Sequence, residues 1–261
     1  MRICYLFNSS TPSSNPGSIQ VVNTCGAIAE LSHSIKLIVP NTGFKLSLAK
    51  FYGIKKSPKL IRLKYFTKFP LGINYYLFSI FSIIYCTFDK TELYITRNFF
   101  TLFVLSLLKK KVIIEVHHDL KNESRLVNFL YKYLDILNQR NIVKIVAITN
   151  PVKKYLINNF NLDPKKIEII PSASALKFKF SKIKKKKIYN IGYFGSLDSS
   201  KGSSFVVKLA KKDKKNNYFI YGGNKHEVFK LKKKSIQKTY KSIKAYHTAN
   251  SKKLFQKWIF Y

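Results

Sequence analysis

Two stretches of this chain hold residue types at spacings that could do chemistry. The first is IGYFGSLDSSKG, residues 191–202: a short apolar run, a glycine turn, a polar loop, then Lys201-Gly202 opening a helix. Glycine lets backbone approach a ligand closely, the first amides of a helix point at an anion, and the helix dipole and a lysine both favour negative charge. Gly195, Ser196, Lys201 and Gly202 are therefore candidates for cradling a phosphate-bearing ligand. The same order of parts also occurs at strand-to-helix turns that bind nothing, so both readings stand. A second strand ending in a glycine pair, YFIYGG at residues 218–223, brings in Gly222 and Gly223, whose plain reading is a strand-to-helix turn.

The second stretch is VIIEVHHD, residues 112–119. If the strand runs through it, the period of two puts Glu115 and His117 on one face and Val116 and His118 on the other. Two adjacent histidines so placed make a poor metal chelate. From the residues alone, a strand-end histidine satisfied by backbone is an equal reading. A third candidate is the loop NSSTPSSNPGS at residues 8–18, whose plain reading is a Ser/Pro/Asn turn with Ser18 as helix N-cap.

The elements that must position these residues alternate along the chain. RICYLF (2–7), ELYIT (92–96), VIIEVH (112–117), VKIVAI (143–148) and IEII (167–170) read as strands; residues 19–31, 98–108, 126–137 and 151–160 read as helices. Near-continuous apolar strands with short connections predict a parallel sheet covered on both faces. Residues 69–88 contain no charge and are about long enough to cross a bilayer if wholly helical. Pro70, Gly72 and Asn74 break the first part and Ser79, Ser82, Tyr85 and Thr87 dilute the rest, so residues 73–86 are expected to form a buried or interfacial helix. Around residues 174–187 the pattern dissolves into a basic linker, and alternation restarts at Ile188. The division expected is a Rossmann-like domain at 1–176, a linker at 177–187 and a partial second domain at 188–261.

At 261 residues and 46% hydrophobic content, the chain can bury real cores. Its net charge is +36, and with only five arginines among 48 basic residues, 43 are lysines. Such a field attracts nucleic acid, anionic lipid and acidic polymers. Base recognition leans on arginine forks and exposed aromatics, and no helix-turn-helix, zinc spacing or aromatic ribonucleoprotein motif is present, so specific nucleic-acid binding is not expected. An anionic membrane is the better partner. Cys4, Cys25 and Cys86 are odd in number and widely spaced, which indicates neither disulfides nor a metal site and fits a reduced cytoplasm. The first residues hold only a brief apolar stretch, too short for a secretory signal.

Taken in order, RICYLF with its polar loop, SHSIKLIVP (32–40), IEIIP (167–171), the 191–202 cradle and YFIYGG resemble the family 4 glycosyltransferases of the GT-B architecture. The resemblance implies an α/β fold with one complete Rossmann-like parallel-sheet domain followed by an incomplete second one. It implies transfer of a sugar from a nucleotide-sugar donor to a cell-surface glycan or lipid-linked acceptor, at the inner face of the cell membrane, with no metal or other cofactor. Lys201 would then neutralise the leaving nucleoside diphosphate. Ser196 stands where the family has an arginine or lysine, Gly222 and Gly223 would let the nucleobase or ribose lie against their strand, and the amides of Gly17 and Ser18 would lie beside acceptor and donor phosphates. The role of placing or deprotonating the acceptor falls to His117, with the extra His118 shifting the alignment by one residue. The family next has a glutamate-bearing strand and loop that hold the sugar. Here YKSIKAYHTANSKKLFQK resembles the lead-in and is followed by WIFY, which implies a truncated copy, inactive alone, or one completed by a separately encoded C-terminal fragment. The competing class is a non-enzymatic basic protein that binds nucleic acid or anionic membrane.

Overall fold

Apolar, β-branched runs become strands that are covered on both sides. In β1 (Arg2–Leu6) all but the first residue are buried, and β2 (Ser34–Pro40) is nearly as enclosed. The alternation sorts their side chains into two cores: Cys4 and Leu6 join one, while Ile3, Tyr5 and Phe7 join the other. The structure, a computed structural model, describes residues 1–13, 15–43, 47–64, 69–173, 187–198, 201–236 and 243–246. Contacts divide the chain into two compact units, Met1–Lys177 and Phe178–Tyr261.

In the first unit, β1, β2, β3 (Lys59–Leu63), β4 (Leu93–Thr96), β5 (Val112–Val116), β6 (Ile142–Ala147) and β7 (Ile167–Ile169) form one parallel sheet in the order β3-β2-β1-β4-β5-β6-β7. On one face lie α1 (Pro16–Glu30) and α2 (Leu48–Tyr52). On the other lie α3 (Leu71–Thr87), α4 (Phe99–Leu107), α5 (Arg125–Tyr133) and α6 (Asn150–Phe160). The strand order reverses between β1 and β4, and in such sheets the crevice beyond the carboxyl ends of those strands is where ligands bind.

Several local features follow from particular residues. Ser32, in the turn into β2, has φ 64°, a left-handed conformation that glycine adopts with less strain. The start of α1 lies three residues before the expected one, at Pro16, whose fixed φ suits the first turn. The segment 69–88 is the helix α3, and its two faces differ. Asn74, Phe78, Ser79, Ser82 and Cys86 are buried, while Ile73, Ile80, Ile84 and Phe88 are exposed. The buried serines return their hydroxyls to carbonyls one turn back, and Ser79 meets Thr101 of α4 at 2.8 Å, so small polar residues let the two helices pack closely. Among the described residues, no helix is long and apolar enough to cross a membrane.

The second unit contains β8 (Asn190–Phe194), α7 (Ser203–Lys212), β9 (Asn217–Tyr221), α8 (Lys225–Ile236) and β10 (Ile243–Tyr246), with the strands parallel in the order β10-β9-β8. The expected linker, apart from Lys187, and the terminal WIFY lie outside the described residues.

Candidate functional site

In the first unit the chemistry gathers at the carboxyl ends of β1, β4 and β5. Strand β5 ends at Val116, so the two-residue period no longer applies to His117 and His118. The condition for their facing opposite ways is therefore not met, and both line one cleft of about 270 Å³. Asn8 follows β1, Arg97 and Asn98 follow β4, and Glu115 closes β5; Tyr75 of α3 and Glu123, just before α5, complete the lining.

Two carboxylate pairs organise this cleft. Arg97 Nη2 lies 2.6 Å from Glu115 Oε2, both side chains about seven-eighths buried, and Arg97 Nε also donates to Tyr5 Oη at 2.9 Å. His117 Nε2 is 3.5 Å from the same carboxylate oxygen. Burial alone would raise the Glu115 carboxyl, but His117, Arg97 and Tyr5 outweigh it and hold it below its ordinary value. His118 Nε2 pairs with Glu123 Oε1 at 2.8 Å, and Tyr75 Oη approaches the other oxygen of Glu123 at 3.4 Å. The Glu123 carboxylate raises the His118 imidazole above its usual value, against the opposing effect of burial. Burial, reinforced by Glu123, keeps the Tyr75 hydroxyl protonated far above neutral pH.

The loop after β1 is spent on itself. Ser18 is buried at the third position of α1, its hydroxyl donating to Ser10 O at 2.9 Å and accepting from Ser13. Tyr52 of α2 clamps the loop by bonding both the amide and the carbonyl of Ser13. Asn15, not Ser18, is the N-cap, and its side chain makes no cap hydrogen bond. The Gly17 and Ser18 amides sit in the first turn of α1, and a Cβ on Gly17 would touch the Phe7 ring at 3.6 Å.

In the second unit the glycine turns after β8 and β9 come together. Gly195 N donates to Tyr221 O at 3.0 Å, and a Cβ on Gly222 would stand 1.7 Å from Gly195 O. Only glycine fits there, because the two backbones touch. Gly202 is the N-cap of α7 with φ 84° and has no side chain to cap it. Ser203 Oγ donates to Leu197 O at 3.1 Å, and Tyr193 Oη reaches both Ser196 O and Lys201 O, pinning the turn that carries Ser196 and Lys201. Gly195, Ser196, Lys201, Gly202, Gly222 and Gly223 thus share one end of this sheet.

No family model matches the sequence, and no curated protein does. Solved structures do match. Sucrose-phosphate synthase from Thermosynechococcus elongatus superposes with a TM-score of 0.65 over 94% of this chain and 70% of its own, at 13% identity. The fold is the GT-B fold. HepE of Anabaena, in complex with UDP and glucose, is similar with a TM-score of 0.62 over 94% of this chain and 69% of its own, at 14% identity. The lipopolysaccharide outer core galactosyltransferase WaaB gives 0.61 over 99% of this chain and 72% of its own, at 12% identity. At these identities the likeness is one of fold.

Within this GT-B frame, the sequence reading missed Arg97, Asn98, Tyr75 and Glu123. Arg97 and Asn98 carried one usable signal: they directly follow the strand ELYIT, at the edge where parallel sheets place their sites. Tyr75 and Glu123 carried none, since only helix packing brings them in. Among the described residues, no group of three or more His, Cys, Asp or Glu could hold a metal ion.

Proposed function

We propose that this chain binds a nucleotide sugar at the 195–202 turn and serves the transfer of its sugar to a hydroxyl of a cell-surface glycan or lipid-linked acceptor. The observation that carries the reading is the meeting of Gly195 and Gly222 at the sheet end that also carries Lys201 and the glycine N-cap of α7. Glycine lets backbone approach a nucleoside closely, and helix amides with a lysine offset the diphosphate charge. HepE, described in complex with UDP and glucose, lends the ligand class.

In this reading His117 or His118, each backed by a carboxylate, holds or accepts the acceptor proton in the cleft of the first unit. Acceptors of this kind sit at membranes. The net charge of +36, the exposed Ile73, Ile80 and Ile84 of α3 and the exposed Phe88 just after it support peripheral contact with an anionic, inner-face bilayer.

Isothermal titration of the full chain with UDP, GDP and ADP and their glucose conjugates tests the proposal. One nucleoside diphosphate should bind, and Lys201→Ala should weaken it about tenfold, the loss of one charge-assisted contact. Binding of none would refute the reading.

A further inference from the structure

Among the described residues, two buried donors of this cleft lack a hydrogen-bond partner, Arg97 Nη2, which lies in an ion pair with Glu115, and Asn98 Nδ2, which has no such compensation. Asn98 is 3% exposed, and its Nδ2 has no hydrogen-bond partner. Its other amide atom is fixed: Oδ1 accepts the Thr101 amide at 2.9 Å and so caps α4. Its backbone is fixed too, since Asn98 N donates to Thr96 Oγ1 at 3.1 Å and that hydroxyl donates to Leu6 O. The carboxamide therefore cannot turn over without uncapping the helix. A buried, unmade donor is costly, and such groups in native structures call for a partner.

The surrounding charges narrow what that partner is. Arg97 is matched by Glu115, and Glu123 by His118. Arg97 Nη2 is itself buried without a hydrogen bond, but its charge is offset by Glu115 at 2.6 Å; among the described residues no cation of the cleft lacks a carboxylate beside it, so a phosphate or carboxylate entering would meet two carboxylates and no surplus counter-charge. A hydroxyl group fits both sides: its oxygen accepts from Asn98 Nδ2, and its proton goes to the Glu123 carboxylate or a neutral histidine nitrogen. The volume, about 270 Å³, falls just below the roughly 300–1,000 Å³ of sites for drug-sized ligands, which suits a single sugar ring.

We propose that Asn98 is a specificity-determining residue that reads a hydroxyl of a neutral sugar ring, so that the acceptor is uncharged at the end that enters the cleft. This rests on the reading of the cleft as the acceptor side of a glycosyltransferase. Losing that contact strands the Asn98 donor again, which corresponds to discrimination of tenfold or more against an analogue lacking the hydroxyl.

The test uses the full chain with ¹³C-labelled histidine. There are five histidines, and His117 and His118 are assigned by single glutamine variants. Methyl glucoside, methyl galactoside and methyl N-acetylglucosaminide are titrated against glucuronate and glucose 6-phosphate. At least one neutral glycoside should shift the His117 or His118 signals and leave the others in place, while the charged sugars should need at least tenfold higher concentration. Asn98→Asp keeps an oxygen to cap α4 but removes the donor, and should weaken the neutral glycoside at least tenfold while the added buried charge lowers the unfolding midpoint. Asn98→Ser keeps a capping hydroxyl without adding charge and should weaken the glycoside likewise with an unchanged unfolding midpoint. Preference for the charged sugars, no response to any sugar, unchanged affinity in both variants, or unfolding of both would each overturn the proposal. A chain that still binds a nucleoside diphosphate in those cases keeps its donor site, whereas one that binds neither loses the transferase reading as well.

Discussion

Replacing Glu115 by glutamine should expose how strongly the cleft depends on its buried ion pair. At 2.6 Å and an effective dielectric near 20, the Arg97–Glu115 attraction is of order 6 kcal/mol gross, offset by several kcal/mol of desolvation for each ion. What matters for one substitution is the charge left behind. Glu115→Gln strands the Arg97 guanidinium and should cost about 3 kcal/mol; Arg97→Met strands the Glu115 carboxylate and should cost about as much. The double variant removes both charges and should cost no more than either single one, a coupling of about 3 kcal/mol. Hydrogen exchange read on peptides covering β4 and β5 measures this in the first unit alone. Additive single effects, with coupling below about 0.5 kcal/mol, would show that the pair does not organise the cleft.

Three further outcomes are expected. Gly222→Ala forces a Cβ into Gly195 O at 1.7 Å from a backbone at φ 147°, which should destabilise the second unit by roughly 2–4 kcal/mol and abolish nucleotide binding; hydrogen exchange in β8 and β9 checks it. The His118 imidazole is raised by Glu123, so its stabilisation is complete below the ordinary histidine range near 6.5 and fades as pH rises through the raised value; Glu115, held low, contributes above the ordinary carboxylate range and fades as pH falls through its lowered value. Histidine ¹³C titration should show the His118 midpoint dropping in Glu123→Gln, and an unmoved midpoint would refute the pairing. Ile80→Glu with Ile84→Glu should leave stability within about 0.5 kcal/mol, both sites being exposed, while sharply reducing sedimentation with phosphatidylserine vesicles; unchanged sedimentation would remove α3 from the membrane contact.

Much of the fold was written in the sequence wherever burial demanded an unbroken apolar run. β1, β4, β5 and β6 have such runs and were legible to within a residue or two. β3, reading KLIRL, was not, because an edge strand keeps its lysine and arginine in water and loses the pattern. Neither was α2, a five-residue helix whose Tyr52 does its work by clamping a distant loop. The glycine turns were legible as turns, but the contact of Gly195 with Gly222 is a property of strand pairing. The cleft was half hidden. His117 and Glu115 were visible as neighbours in one run, whereas Arg97, Asn98, Tyr75 and Glu123 converge from three other segments, and the side on which His118 lies turns on where β5 stops.

The central claim, a donor site selective for a nucleotide sugar and not a general polyanion surface, is tested most directly by competition at physiological salt. A fluorescent nucleoside diphosphate sugar bound to the full chain should be displaced by the unlabelled diphosphate and not by duplex DNA, whose charge attraction fades steeply as salt rises. Displacement by DNA at equal or lower concentration, persisting at that salt, would contradict the claim and favour a basic nucleic-acid-binding protein.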